Sequence, residues 1–157
     1  MNVGQRSHLI EGWVAPTAEQ FANARRSADA WNRGDFETWI DAFAADCDWY
    51  PTTVGAVEGR STSIHGHEGL RAYTQQAEEV WELFQVEIDD LLRRDSLSLL
   101  LGRVRTRGRV SQVETETPMF WLFDSDEHDK FLWGKSFLDL GEALSAAAER
   151  EGASSSR

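Results

Sequence analysis

Apolar and polar residues alternate from Phe84 to about Leu138, whereas from Phe21 to Val80 the apolar positions mostly recur every three or four residues. A period of two marks strands and a period near 3.6 marks helices, so a largely helical first half precedes a sheet. The first helix opens at Thr17, which forms a capping box with Gln20 directly after Pro16. Phe21, Ala24, Ala28 and Trp31 share its apolar stripe, and Arg25, Arg26 and Asp29 lie outside it. Gly34 stops that helix and Asp35 caps the next, in which Phe36, Trp39, Ile40 and Phe43 share a face. The pair predicts a helical hairpin with an apolar inner side.

Cys47 to Tyr50 reads as a short strand halted by Pro51, which lacks the donor a ladder requires. Thr52 to Ser63 reads as a loop with room for one brief strand near Val57. A third helix begins at Gly66 or His67, with Glu68 in its first turn and a buried stripe of Leu70, Tyr73, Ala77, Val80 and Trp81. Four long strands follow, Phe84 to Arg94, Leu97 to Arg109, Val113 to Asp124 and Lys130 to Leu138, joined as an antiparallel meander. Asp139 with Glu142 opens a last helix, whose Leu140, Ala143, Leu144 and Ala147 dock on the body. Residues 1–15 show no period and residues 150–157 are mostly small or polar. The organisation is therefore a mobile segment over 1–15, one domain over 16–149 and a disordered tail over 150–157.

Composition narrows the partners. At 157 residues, with 41% hydrophobic and 27% charged, the chain fits one domain with an ordinary core. A formal net charge of −11 disfavours nucleic acid and anionic membrane surfaces, and no apolar run approaches the ~20 residues of a membrane span. The single Cys47 has no partner for an internal disulfide and no export signal is visible, so a cytoplasmic location is the expectation. Seven Trp and eight Phe suit either a thick core or a cavity walled by rings.

Five segments in this order and spacing carry a resemblance: WNRGDFETWIDAF, DCDWYP, EGRSTSIHGHEGLRAYTQQAEEVW, LLLGRVRTRGRV and FLDLGEAL. Over about residues 18 to 148 the chain resembles SnoaL-like proteins of the nuclear transport factor 2-like, or ketosteroid isomerase-like, superfamily. The resemblance implies an α+β fold: a cone-shaped, curved, mostly antiparallel sheet with about three helices on its concave face, plus a C-terminal helix. It also implies a mostly apolar pocket and, commonly, a homodimer through the sheet. It does not imply a reaction, because the superfamily holds isomerases, cyclases, dehydratases, epoxide hydrolases and plain binding proteins.

The isomerase chemistry needs a carboxylate base and neutral donors for the enolate. Here Tyr50 stands before Pro51 where the resemblance would put the base, and the first helix has no Tyr; only Glu116 falls near the remaining position. A cyclase would draw on Asp48, Glu116 or Asp139, with Trp49, Tyr73, Trp81, Trp121 and Trp133 as walls. Capping is the competing role for Asp139, and core packing for the rings. Arg103, Arg105, Arg107 and Arg109 alternate on one face, opposite Leu100, Val104, Thr106 and Val110. Some epoxide hydrolases of the superfamily position water with an Arg between two Asp. Burying four guanidinium groups is costly, however, so the row reads as a solvated or dimer-facing ladder neutralised by Glu87, Asp89, Glu114 and Glu116. Arg103, beside Leu101, is the candidate exception.

His65 and His67 lack a convergent third ligand, so His67 reads as a helix cap and no metal site is assigned. Residues 124–130, DSDEHDK, lack the Gly and closing Glu of a calcium loop. Cys47 has no activating base beside it and reads as a small buried residue. The Arg33-Gly34-Asp35 triplet reads as a helix stop and cap rather than an adhesion signal.

The leading expectation is a pocket protein binding an apolar small molecule through Trp49, Tyr50, Tyr73, Trp81 and Trp121, without a cofactor. The alternatives are an acid-base or hydrolytic enzyme of cyclase, isomerase or epoxide-hydrolase type using Glu116 with Arg103 or Tyr50, and a pocketless dimerisation module.

Overall fold

The computed structural model describes residues 10–52 and 63–155. Its elements are α1 (Ala18–Asn32), α2 (Phe36–Asp41), β1 (Phe43–Tyr50), β2 (Ile64–His65), α3 (Gly66–Val80), β3 (Trp81–Arg94), β4 (Leu97–Gly108), β5 (Glu114–Ser125), β6 (Phe131–Phe137) and α4 (Leu140–Ser155). The fold is α+β, and its strands make one sheet in the order β2-β1-β6-β5-β4-β3. All neighbours are antiparallel except β1 and β6. No helix among the described residues is long and apolar enough to cross a membrane.

Local chemistry sets the helix ends. Thr17 and Gln20 bond reciprocally, with Gln20 Oε1 accepting from Thr17 N at 2.9 Å and Thr17 Oγ1 accepting from Gln20 N at 3.1 Å. Gly34 turns the chain at φ +77°, which a side chain would resist, and Asp35 accepts from Thr38 N and from Thr38 Oγ1 to start α2. The end of α1 then covers the free edge of β3. Asn32 donates to Val86 O at 2.8 Å and accepts from Val86 N at 2.7 Å, while Trp31 Nε1 donates to Phe84 O at 3.1 Å.

A bulge bends β3 and exchanges its faces. Ile88 pairs with Gly102 and Asp90 with Leu101, so Asp89 is extra. A Cβ on Gly102 would lie 1.9 Å from Glu87 O, so glycine alone admits this approach. Before the bulge Val86 and Ile88 point toward α1–α3; after it Leu91 does, and Leu92 joins the opposite core.

Two apolar layers result. The inner one holds Ile40, Phe43, Trp49, Leu70, Leu100, Val104, Met119, Trp121 and Phe123 beneath α1, α2 and α3. The outer one holds Leu92, Leu97, Leu99, Leu101, Leu122 and Phe137 beneath Ala143 and Ala147 of α4, with Trp13 beside them. Val14 pairs with Arg93 in both directions, at 2.9 and 2.8 Å. At the other end Arg150 pairs with Asp124 at 3.0 Å and lies 4.1 Å from the Trp133 ring centroid. Trp13 and Val14 at one end and Arg150 at the other thus contact the sheet as well.

Several boundaries differ from the sequence reading. Phe43 opens β1 instead of closing α2, because it pairs with Phe131 while Phe131 N donates to Ala42 O. Trp81 opens β3 instead of ending the third helix; its backbone is extended and it pairs with Gly108. The two-residue strand β2, absent from the reading, pairs Asp48 with His65 and Trp49 with Ile64. The helix-cap position is His65, which makes no side-chain cap bond, whereas His67 Nε2 donates to Phe43 O at 2.8 Å. The strand expected near Val57 lies outside the described residues.

Candidate functional site

Beneath α1–α3 a cavity of about 80 Å³ remains between the helices and the inner face of the sheet. α1 contributes Ser27, Ala28 and Trp31, α2 contributes Trp39, β1 contributes Trp49 and α3 contributes Tyr73. The sheet closes it with Phe84, Val86 and Ile88 of β3, Leu100 and Val104 of β4, Met119, Trp121 and Phe123 of β5, and Phe131 of β6. Rings fill much of the surrounding space edge to face, Trp31 to Trp39 at 4.9 Å, Trp39 to Phe43 at 5.0 Å and Trp31 to Phe84 at 5.1 Å between centroids. Drug-sized sites run to roughly 300–1,000 Å³, so this space suits a compact occupant.

Trp49 is the most constrained wall residue. It pairs with Gly134 of β6, where an added Cβ would lie 2.5 Å from the Phe123 ring and 3.0 Å from Trp49. The missing side chain lets the indole stack on Phe123, with centroids 5.7 Å apart and planes 10° apart. Trp49 is only 4% exposed, and its Nε1–H has no hydrogen-bond partner among the described residues. A buried donor left unpaired costs about 1–3 kcal/mol.

Tyr73 is the titratable group on this wall. Burial pushes its phenol up to about 12, and the neighbouring Trp49 side chain pulls the other way, although no hydrogen bond closes at the indole N–H. At neutral pH the phenol is therefore a neutral hydroxyl and not a base. At the rim, Thr52 N donates to Ser136 Oγ and Thr52 Oγ1 donates to Ser136 O at 2.6 Å, so those groups are already engaged. Among the described residues no carboxylate, His, Lys or Arg lines the cavity.

The candidates named from sequence divide between the two faces. Trp49, Tyr73 and Trp121 line the cavity. Tyr50, next to Trp49 in an extended strand, points the other way, its ring 6.1 Å from Trp133. Trp81 lines a separate surface cleft with Trp31 and Phe36. Arg103 and Glu116 meet at 3.0 Å, but on the outer face, where Arg103 also pairs with Glu87 at 3.0 Å and Asp89 at 3.3 Å. The Asp89 carboxylate foremost raises the Arg103 pKa above the usual guanidinium range. Arg107 bridges Glu82 and Glu114, each at 3.3 Å, and Arg105 meets Glu114 at 3.5 Å. Arg109, past the strand end, donates to Glu78 O.

The remaining polar candidates have local partners. Asp48 bonds His65 Nδ1 at 2.9 Å, and Asp139 caps α4 by accepting from Glu142 N at 3.0 Å. Cys47 is buried, and desolvation raises its thiol pKa. No group of three His, Cys, Asp or Glu converges to hold a metal among the described residues. The wall residues Phe84, Val86, Ile88, Met119 and Phe123 were not singled out from sequence. Their signal is their shared face across neighbouring strands, which appears only once the register is known.

A SnoaL-like domain family matches residues 24–130. No curated protein matches the chain in sequence. Among solved structures, an NTF2-like protein of unknown function from Burkholderia pseudomallei superposes with a TM-score of 0.69 at 16% identity, covering 82% of this chain and 96% of that one. A Catenulispora acidiphila protein with a ketosteroid isomerase-like fold, in complex with trimethylamine, gives 0.65 at 16% identity over 84% and 92% of the two chains. A Mycobacterium tuberculosis protein in complex with estradiol-17beta-hemisuccinate gives 0.63 at 11% identity over 77% and 94%. At these identities the likeness is one of fold.

Proposed function

Given that the chain belongs to the SnoaL-like domain family, we propose that it is a binding protein for a compact, mostly apolar small molecule held in the inner cavity. The observation that carries this reading is the chemistry of the wall: mostly rings and aliphatic side chains, with the hydroxyls of Ser27, Thr52, Ser136 and a neutral Tyr73, and no described charged side chain. Acid-base catalysis needs a group that holds or takes a proton near working pH. The carboxylate and guanidinium candidates Glu116 and Arg103 instead neutralise one another on the outer face. The trimethylamine and estradiol-hemisuccinate complexes of the two fold neighbours lend support, since each is a protein of this fold seen with a small organic molecule.

The test is a thermal-shift screen of small apolar compounds followed by calorimetric titration of the hits. Wild type and Glu116→Gln are expected to bind alike, and wild type to leave the compound unchanged. Turnover by wild type, abolished in Glu116→Gln, would overturn the reading in favour of the enzyme.

A further inference from the structure

The indole of Trp49 is held in place before any ligand arrives. Stacking on Phe123 over the bare Cα of Gly134 fixes its plane, and pairing of β1 with both β2 and β6 fixes its backbone. The side chain is 96% buried, as its 4% exposure records, on the wall of the cavity, and its N–H is unpaired among the described residues. Indole nitrogen donates and cannot accept, so only an acceptor satisfies it. Trp31, by comparison, spends its Nε1–H on the Phe84 carbonyl, leaving its ring as apolar wall.

We propose that the cavity selects compact apolar molecules bearing one hydrogen-bond acceptor, a carbonyl-type oxygen, which receives the Trp49 Nε1–H while the rest of the molecule lies against Val104, Met119 and Trp121. This rests on the binding function proposed above. The neutral hydroxyl of Tyr73 sits beside the Trp49 N–H without a hydrogen bond between them and is a second donor on the same wall, and the absence of described charged groups there favours an uncharged acceptor over a carboxylate. An apolar molecule of the same shape would leave the indole N–H unpaired, which is how a site of this kind discriminates.

The experiment titrates ¹⁵N-labelled protein with cyclopentanone and with methylenecyclopentane, its isostere with CH₂ in place of the oxygen. The ketone alone is expected to move the Trp49 indole proton downfield, the resonance being identified by its loss in Trp49→Phe and by its contacts to Phe123. Trp49→Phe is further expected to reduce the preference for ketone over hydrocarbon by about tenfold. If both probes bind wild type and move the Trp49 resonance alike, the acceptor proposal fails while the cavity remains a binding site. If neither binds, the cavity reading fails and the proposal with it. If Tyr73→Phe abolishes the preference while Trp49→Phe retains it, Tyr73 is the donor and the assignment to Trp49 is overturned.

Discussion

The two faces of strands β4 and β5 hold opposite chemistries within a single residue's step. On the inner face Leu100, Val104, Met119 and Trp121 are buried against the helices. On the outer face Leu99, Leu101 and Leu122 lie under α4, and beyond them the same rows become Arg103, Arg105, Arg107, Glu114 and Glu116, in exposed ion pairs. The residue types that suggest catalysis are thus concentrated where water screens them. The face with room for a ligand offers hydroxyl and indole donors instead. Charge on the outer rows of β4 and β5 reports a solvated surface, and the unpaired polar group on the inner face is the more informative one.

Three changes break or sharpen that contrast. Gly102→Ala should have the largest effect, because its Cβ would lie 1.9 Å from a backbone carbonyl that no rotamer can move. A loss of about 3 kcal/mol in urea unfolding is expected; a wild-type midpoint would show that the bulge does not set which residues face inward. Tyr73→Phe comes next, and its effect on the pH dependence of stability shows only in alkali. The folded phenol titrates at about 12 against 10.0 for an ordinary Tyr, so the folded protein keeps a proton that the unfolded chain loses. Wild-type stability should therefore be intact below pH ~10 and fall by roughly 2 kcal/mol as pH rises toward 12, whereas Tyr73→Phe lacks this decline. Phenolate absorbance tests the same point: the Tyr73 phenol should ionise only near pH 12, a step that Tyr73→Phe lacks. Arg103→Gln should have the smallest effect, a slight fall in melting temperature at low salt that disappears at about 1 M NaCl. A loss of ligand binding in that variant would move the outer face into the site.

Much of the fold is legible in sequence because its signals are local. The Thr17–Gln20 box, the Gly34 stop, the Asp35 and Asp139 caps and the alternation of the last four strands each depend on a few adjacent residues. What escapes is set by contacts between distant segments. Phe43 fits a helical stripe as well as a strand until Phe131 pairs with it, and Trp81 fits the end of α3 until Gly108 does. The extra residue at Asp89 exchanges the faces of β3; its mark in sequence is the doubled polar pair Asp89-Asp90 between Ile88 and Leu91, whose meaning only the pairing with β4 decides. The same rule separates the site candidates. Trp49 and Tyr50 are neighbours in one strand and so cannot both line one cavity, and Arg103 follows Leu101 onto the face that α4 covers. Glu116 pairs with Arg105 across strands and shares its outward direction.

The tryptophans make the contrast between faces directly measurable. Trp31, Trp39, Trp49 and Trp121 line the inner cavity, whereas Trp13 and Trp133 pack in the outer layer. In a ¹H–¹⁵N spectrum of the indole groups titrated with cyclopentanone, the four inner resonances should move together, Trp49 furthest, while Trp13 and Trp133 stay fixed. Shifts confined to Trp13 and Trp133, with the inner four unmoved, would contradict the assignment of ligand binding to the inner face.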